Sequence, residues 1–359
     1  MSFDVNAPAN SDSGIFGLPH SEADATVVVI PVPFEATVSY RQGTAQGPAA
    51  ILAASHQVDL LDADVGSVWE AGIAMVAAPD WMEDLNFAAR VASVQCIEAL
   101  TRGEPVDHDL IDLVLRASTR VNTWVEERAL GLLQQGRLPV VVGGDHSVPL
   151  GAIRACGRHL SDKPLGILHL DAHCDLRPAY EGFQYSHASI MKNVLDDLPH
   201  VKLVQIGIRD FSDGELAIVA DNPHRITTYF DAQMRQARLG GGFASLAARI
   251  VENLPKDVYL SFDIDGLDPA LCPSTGTPVP GGLSFDEIIC ILDALARSGR
   301  RVVGLDLVEV APPADADAEG WGASWDANVA ARLLYKMIGF ALLTRGQGRR
   351  PELPIPPGI

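Results

Sequence analysis

An apolar run, Gly166-Ile167-Leu168-His169-Leu170, passes directly into Asp171-Ala172-His173-Cys174-Asp175. The run reads as a buried strand of a parallel sheet. Side chains alternate on extended backbone, so Asp171, His173 and Asp175 are expected to project together, with Cys174 facing away. Two carboxylates and an imidazole at a strand's end suit a hard or borderline divalent cation. The plainer alternative is a strand end with ordinary solvated acids. The rest of the chain decides between them.

The same arrangement recurs. Residues 25–30, 139–142, 201–208, 257–262 and 302–308 are short β-branched or apolar runs that read as further strands, with a weaker one at 226–230. Helical spacing occupies 86–101, 109–135, 243–253, 284–297 and 326–343, and Pro48 opens a short helix at the favoured first-turn position. Strands alternating with helices predict one α/β domain over residues 25–345, built on a central, mainly parallel sheet. Residues 1–24 form a polar arm. The tail at 346–359 is rich in Pro, Gly and Arg, and is either disordered or packed on a neighbouring subunit. In such sheets ligands bind beyond the carboxyl ends of the strands. There, the run at 139–142 leads to His146, the run at 257–262 to Asp263 and Asp265, and the run at 302–308 to Glu309.

Charge narrows the class of partner. The formal net charge is -19, a surface that repels nucleic acid and anionic membranes. No apolar run approaches the roughly 20 residues that span a bilayer, and the first residues lack the basic and apolar regions of a secretory signal. The five cysteines are scattered, without disulfide spacing or CxxC pairs. A reduced, cytoplasmic protein is expected.

His146, Asp171, His173, Asp175, Asp263 and Asp265 then form one candidate ligand set. Four carboxylates and two imidazoles are too many for one tetrahedral zinc. They suit two divalent cations sharing carboxylates, which would offset the acids' mutual repulsion. Such a pair lowers the pKa of a bridging water, and the chemistry implied is metal-assisted hydrolysis by a bridging hydroxide.

Five segments carry a resemblance: GGDHS at 143–147, DAHCD at 171–175, SFDIDGLDP at 261–269, TGTPVPGGLS at 275–284 and LVEVAP at 307–312. In this order they resemble the ureohydrolase family of arginases and agmatinases, over roughly residues 25 to 343. WDANVAARLLYK near the C-terminus is similar to its agmatinase-like branch. The resemblance implies a three-layer α/β/α arginase-like fold, two manganese ions per subunit with nickel as the variant, and homotrimers or hexamers. It places one metal on His146, Asp171, Asp175 and Asp263, and the other on Asp171, His173, Asp263 and Asp265. Asp175 would hold the hydroxide and pass a proton to the leaving nitrogen. Glu309 would pair with the substrate guanidinium, and His187, in YSHAS, would shuttle protons.

Two departures leave the substrate open. Arg177 stands where arginases carry an asparagine, which is similar to formimidoylglutamases. It either favours an anionic substrate tail or is neutralised by Glu181 or Asp210. The loop after it is aromatic, with Tyr180, Phe183 and Tyr185. The resemblance thus implies an amidinohydrolase releasing urea from a guanidino compound. The alternatives are a formimidoylglutamase, a hydrolase of guanidine or dimethylbiguanide, and a non-catalytic subunit of a hetero-oligomer. His169 is expected to be a hydrogen-bonded core residue.

Overall fold

The structure, a computed structural model, describes residues 3–10, 13–161, 163–316 and 320–354. Eight strands among these residues form one sheet: β1 (Val27–Val32), β2 (Ile73–Met75), β3 (Leu138–Gly143), β4 (Leu165–Leu170), β5 (Lys202–Ile208), β6 (Ile226–Phe230), β7 (Asp257–Asp263) and β8 (Arg301–Val308). Their order is β2-β1-β3-β8-β7-β4-β5-β6, and all neighbouring pairs are parallel. Parallel neighbours require crossovers. The helices that supply and flank them are α1 (Gly47–Ser55), α2 (Trp81–Thr101), α3 (His108–Gln134), α4 (Leu150–Leu160), α5 (Ile190–Asp197), α6 (Asp213–Asp221), α7 (Asp231–Leu239), α8 (Phe243–Glu252), α9 (Phe285–Arg297) and α10 (Trp325–Thr344).

Strand alternation divides the core in two. Val27 and Val29 pack on one side with α1 and α7 to α10. Val28, Ile30 and Val32 pack on the other with α2 to α5. The result is the three-layer α/β/α arrangement. Strand order brings the carboxyl ends of β3, β8, β7 and β4 side by side at the sheet's centre. Residues following those four strands therefore converge, although far apart in sequence.

The register adds a polar row. Gln205, His169, Ser261 and Asp306 are aligned partners on β5, β4, β7 and β8, all on the α2–α5 side and fully buried. Buried polar groups in an apolar sheet are costly unless hydrogen-bonded, and this row holds up the site described below.

Three features go beyond the sequence reading. The edge strand β2 lies in a stretch without clear periodicity. Within the arm, Ile15, Phe16 and Leu18 are buried in the core; residues 1–2 and 11–12 of the arm lie outside the described residues. The described part of the tail lies against its own chain, with Arg350 paired to Asp293 at 2.5 Å; residues 355–359 of the tail lie outside. No helix among the described residues is long and apolar enough to cross a membrane.

The turn after β3 depends on close backbone approach. A Cβ at Gly144 would stand 2.0 Å from the Phe34 carbonyl oxygen, whereas one at Gly131 in α3 meets open space. Gly144→Ala should destabilise by about 1–3 kcal/mol through overpacking, and Gly131→Ala should stabilise by about 0.5–1 kcal/mol through lost chain entropy. Equilibrium urea unfolding of both variants checks this, and equal effects would contradict it.

Candidate metal centre

Around His146, three carboxylates converge. Its Nδ1 stands 3.0 Å from Asp171 Oδ2, 3.1 Å from Asp175 Oδ2 and 3.2 Å from Asp263 Oδ2. A second group surrounds His173, whose Nδ1 is 3.1 Å from Asp265 Oδ2 and 3.4 Å from Asp171 Oδ1. Asp171 thus offers one oxygen to each group. The structure brings together all six sequence-predicted ligands.

Local backbone bonds aim these acids. The His173 N–H donates to Asp171 Oδ1, the Asp265 N–H to Asp263 Oδ1 and the Ala172 N–H to Asp265 Oδ1. Asp263 and Asp265 each spend one oxygen on the loop and turn the other toward a histidine. Asp175 differs from the expectation of a continued strand. Strand β4 ends at Leu170, and Asp175 has a left-handed φ of 54°, so a turn rather than strand alternation brings it to His146. Glu309 is also left-handed, at φ 62°. Each such non-glycine residue costs on the order of 1 kcal/mol and persists only where its surroundings enforce it. Cys174 packs in the apolar layer, away from the ligands.

The buried polar row orients the ligands. Gln205 Oε1 accepts from Thr228, and its amide nitrogen donates to the Cys174 carbonyl and to His169 Nδ1. That leaves His169 Nε2–H to donate to Asp171 Oδ2 at 2.8 Å. On the other side, His146 Nε2 lies 3.1 Å from Ser261 Oγ, which donates to Asp306. His169 is therefore hydrogen-bonded in the core, as expected, but its work is to hold Asp171. It shares the parity of Asp171, which follows directly on β4, a signal the sequence contained. Arg209 reinforces the Asp263 to Leu267 turn by donating to the carbonyls of Asp265, Leu267 and Val279.

Glu309 stands behind His146, with Oε1 accepting the His146 N–H at 2.8 Å. His187 lines a cleft of about 170 Å³ with His173, Asp175, Arg177, Tyr180 and Asp210. Arg177 stacks over the Tyr180 ring at 4.9 Å. The acid beside it is neither Glu181 nor Asp210 but Glu215, at 3.6 Å.

Electrostatics show what the cluster lacks. Burial, then the charges of Asp265 and Asp171, push Asp263 well above the usual carboxylate range. Burial and the Asp171 charge push Asp175 up to about 6. Burial and the Asp145 charge push Glu309 up. Burial opposes charge on His146 and His173, but adjacent carboxylates outweigh it and hold both well above the ordinary histidine value. Against its burial, the neighbouring histidines hold Asp171 well below the usual carboxylate range. A buried set of four carboxylates and two imidazoles, with charge this unevenly balanced, fits two hard or borderline dications. Asp171, Asp263 and His146 with Asp175 would hold one, and Asp171, Asp263, His173 and Asp265 the other.

Comparison with known proteins agrees with this geometry. The Arginase family model matches residues 25–339, and the chain belongs to that family. It is 34% identical to the N(1)-aminopropylagmatine ureohydrolase of Thermus thermophilus, over 90% of this chain and 92% of that one. It is 29% identical to the agmatinase of Bacillus subtilis, over 88% and 91%. The solved proclavaminate amidinohydrolase of Streptomyces clavuligerus superposes with a TM-score of 0.69 at 25% identity, covering 94% of this chain and 100% of that one.

Ligands must be deprotonated to bind a cation. Near neutral pH the cation-free cluster holds protons, so manganese entry should release at least one per chain, with affinity rising with pH. Calorimetric titration in two buffers of different ionisation enthalpy measures this, and buffer-independent heat would contradict it. A carboxyl whose folded pKa is raised binds more protons folded than unfolded. Stability of the cation-free chain should therefore fall as pH rises from the unfolded value through the Asp175 value of about 6. Chelation should cost more stability at neutral pH than at acid pH.

Proposed function

We propose that the chain is an agmatinase-like amidinohydrolase that releases urea from a guanidino compound, with two divalent cations per chain. Manganese is the first choice and nickel the second. The observation that supports this most is Asp171 facing both histidine groups, one oxygen to each. Bound there, the cations supply a strongly acidified water and neutralise the acids that hold them.

The chain's own residues do the rest. Asp175, which lines the cleft beside His146, is placed to hold a proton from the nucleophile and pass it to the leaving nitrogen. Glu309 offers a carboxylate to the planar guanidinium. Its second oxygen lies toward Gly276, where a Cβ would come within 3.2 Å, and the neighbouring Thr277 lines the cleft. Burial outweighs the Asp145 charge and lowers the His187 pKa to about 4. His187 is neutral at working pH and able to take up a proton.

Two substrate tails have support. Asp210, exposed at the cleft, favours a cationic tail, in line with the aminopropylagmatine and agmatine relatives. Arg177 favours an anionic one. Both oxygens of Glu215 already accept bonds from Leu176 and Ser212, and among the described residues the Arg177 guanidinium donates no hydrogen bond. A homotrimer or hexamer, with a paralogous partner as the alternative, rests on the resemblance. A cytoplasmic location is supported by five unpaired cysteines.

The test is a product assay on manganese- and nickel-loaded protein with agmatine, aminopropylagmatine, arginine, guanidinobutyrate, formiminoglutamate, guanidine and dimethylbiguanide. Urea from a cationic guanidine is the expected result. Formamide from formiminoglutamate alone would transfer the chain to the formimidoylglutamases. His173→Ala should lower kcat by about 100-fold or more; full activity in that variant would contradict the proposal. Arg177→Ala should raise KM for acidic substrates if Arg177 reads a carboxylate.

A further inference from the structure

The loop after β1 carries no histidine or metal-ligand motif, yet it touches His187. Thr37 is fully buried. Its hydroxyl lies 2.9 Å from Asp145 Oδ2, which also accepts the Thr37 N–H at 3.0 Å. The same hydroxyl oxygen accepts the His187 backbone N–H at 3.1 Å and stands 3.3 Å from His187 Nδ1. The other oxygen of Asp145 is taken by the backbone N–H and hydroxyl of Ser147.

Counting protons fixes the direction of this chain. A threonine hydroxyl has one hydrogen to donate. Its shorter, charge-assisted partner is the Asp145 carboxylate. Donation to His187 instead would leave two bare acceptor oxygens 2.9 Å apart. The Thr37 oxygen then accepts, and the group facing it across 3.3 Å is matched by a donor, Nδ1–H. The competing contact is the buried Ser186 hydroxyl at 3.4 Å, which also accepts the Ala188 N–H and would reverse the tautomer if it donated to Nδ1; Thr37 is the nearer partner. The opposite edge of the ring is the part of His187 left for the cleft, which Thr37 does not line.

We propose that Asp145, acting through the Thr37 hydroxyl, fixes His187 as the Nδ1–H tautomer and leaves Nε2 as an open proton acceptor facing the substrate. A tautomer set by the hydrogen bond on the other ring nitrogen is a general device. Here a hydroxyl is interposed between carboxylate and imidazole. Thr37 is held in place from both sides. Arg90 and Ser93, on α2, donate to the carbonyl of Ala36, and Arg90 also donates to that of Val38. Thr37 and Asp145 are positioning residues; neither lines the cleft. The proposal rests on the reading of His187 as the proton-handling group, and deepens it.

Neutron diffraction from crystals of the full chain in deuterated solvent reads the tautomer directly. A deuteron on His187 Nδ1, with none on Nε2, is expected; a deuteron on Nε2 alone overturns the proposal. Thr37→Val keeps the side-chain shape and removes the hydroxyl. It should lower kcat about 10- to 100-fold, with KM and bound metal unchanged, and Thr37→Ser should restore most of the loss. Wild-type kcat in Thr37→Val, or a Thr37→Ser variant as poor as Thr37→Val, would overturn it. His187→Asn separates the two readings: undiminished kcat there removes the role of His187 itself, whatever the deuteron shows.

Discussion

Buried negative charge is the constraint on which this structure depends. Asp145, Asp171, Asp175, Asp263, Asp265, Asp306 and Glu309 are all nearly inaccessible to solvent, and most gather at the carboxyl ends of four adjacent strands. Carboxylates so placed are strongly destabilising unless neutralised. The chain supplies only partial relief: His146, His173 and His169 at hydrogen-bond range, and Arg209, which is spent on backbone carbonyls rather than paired with an acid. The remainder is an invitation to cations. The fold meets the same demand, because the order β3-β8-β7-β4 places the four acid-bearing ends together. The polar row beneath, from Gln205 to Asp306, sets the direction of Asp171 and His146.

Layers of support extend outward from this centre. Gln205 fixes His169, His169 fixes Asp171, and Asp171 faces both histidine groups. Asp306 holds Ser261, which holds His146. Asp145 holds Thr37, which holds His187. Gln205 and Asp145 make their remaining hydrogen bonds elsewhere, while Asp306 keeps one oxygen, Oδ2, without a partner among the described residues. Preorganisation of this kind is what a hydrolytic site needs at a weakly electrophilic guanidinium carbon.

Much of this was legible in the sequence. Apolar runs ending in acids pointed to the parallel sheet and to the six candidate ligands that the structure brings together, because strand ends are local patterns. The resemblance carried the family, and the comparisons show it. What escaped was set by backbone conformation or long-range register. The left-handed φ of Asp175 and Glu309 leaves no mark on residue type. Thr37 reaches His187 across 150 positions, in a loop that reads as ordinary. The parity of His169 with Asp171 was visible, but a histidine inside an apolar run reads first as core. The three-residue edge strand β2 is too short to show periodicity. The burial of Ile15, Phe16 and Leu18 depends on a partner surface that only the folded chain presents. Substrate preference escaped for another reason: Arg177 and Asp210 pull in opposite directions, and their balance depends on loop shape.

The most direct test of the central claim is anomalous X-ray diffraction, at the manganese edge, from crystals of the manganese-loaded chain. Two peaks per chain are predicted, one beside His146 Nδ1 and one beside His173 Nδ1, with Asp171 between them. A single peak, or peaks away from these two histidines, would contradict the account of a shared two-cation centre.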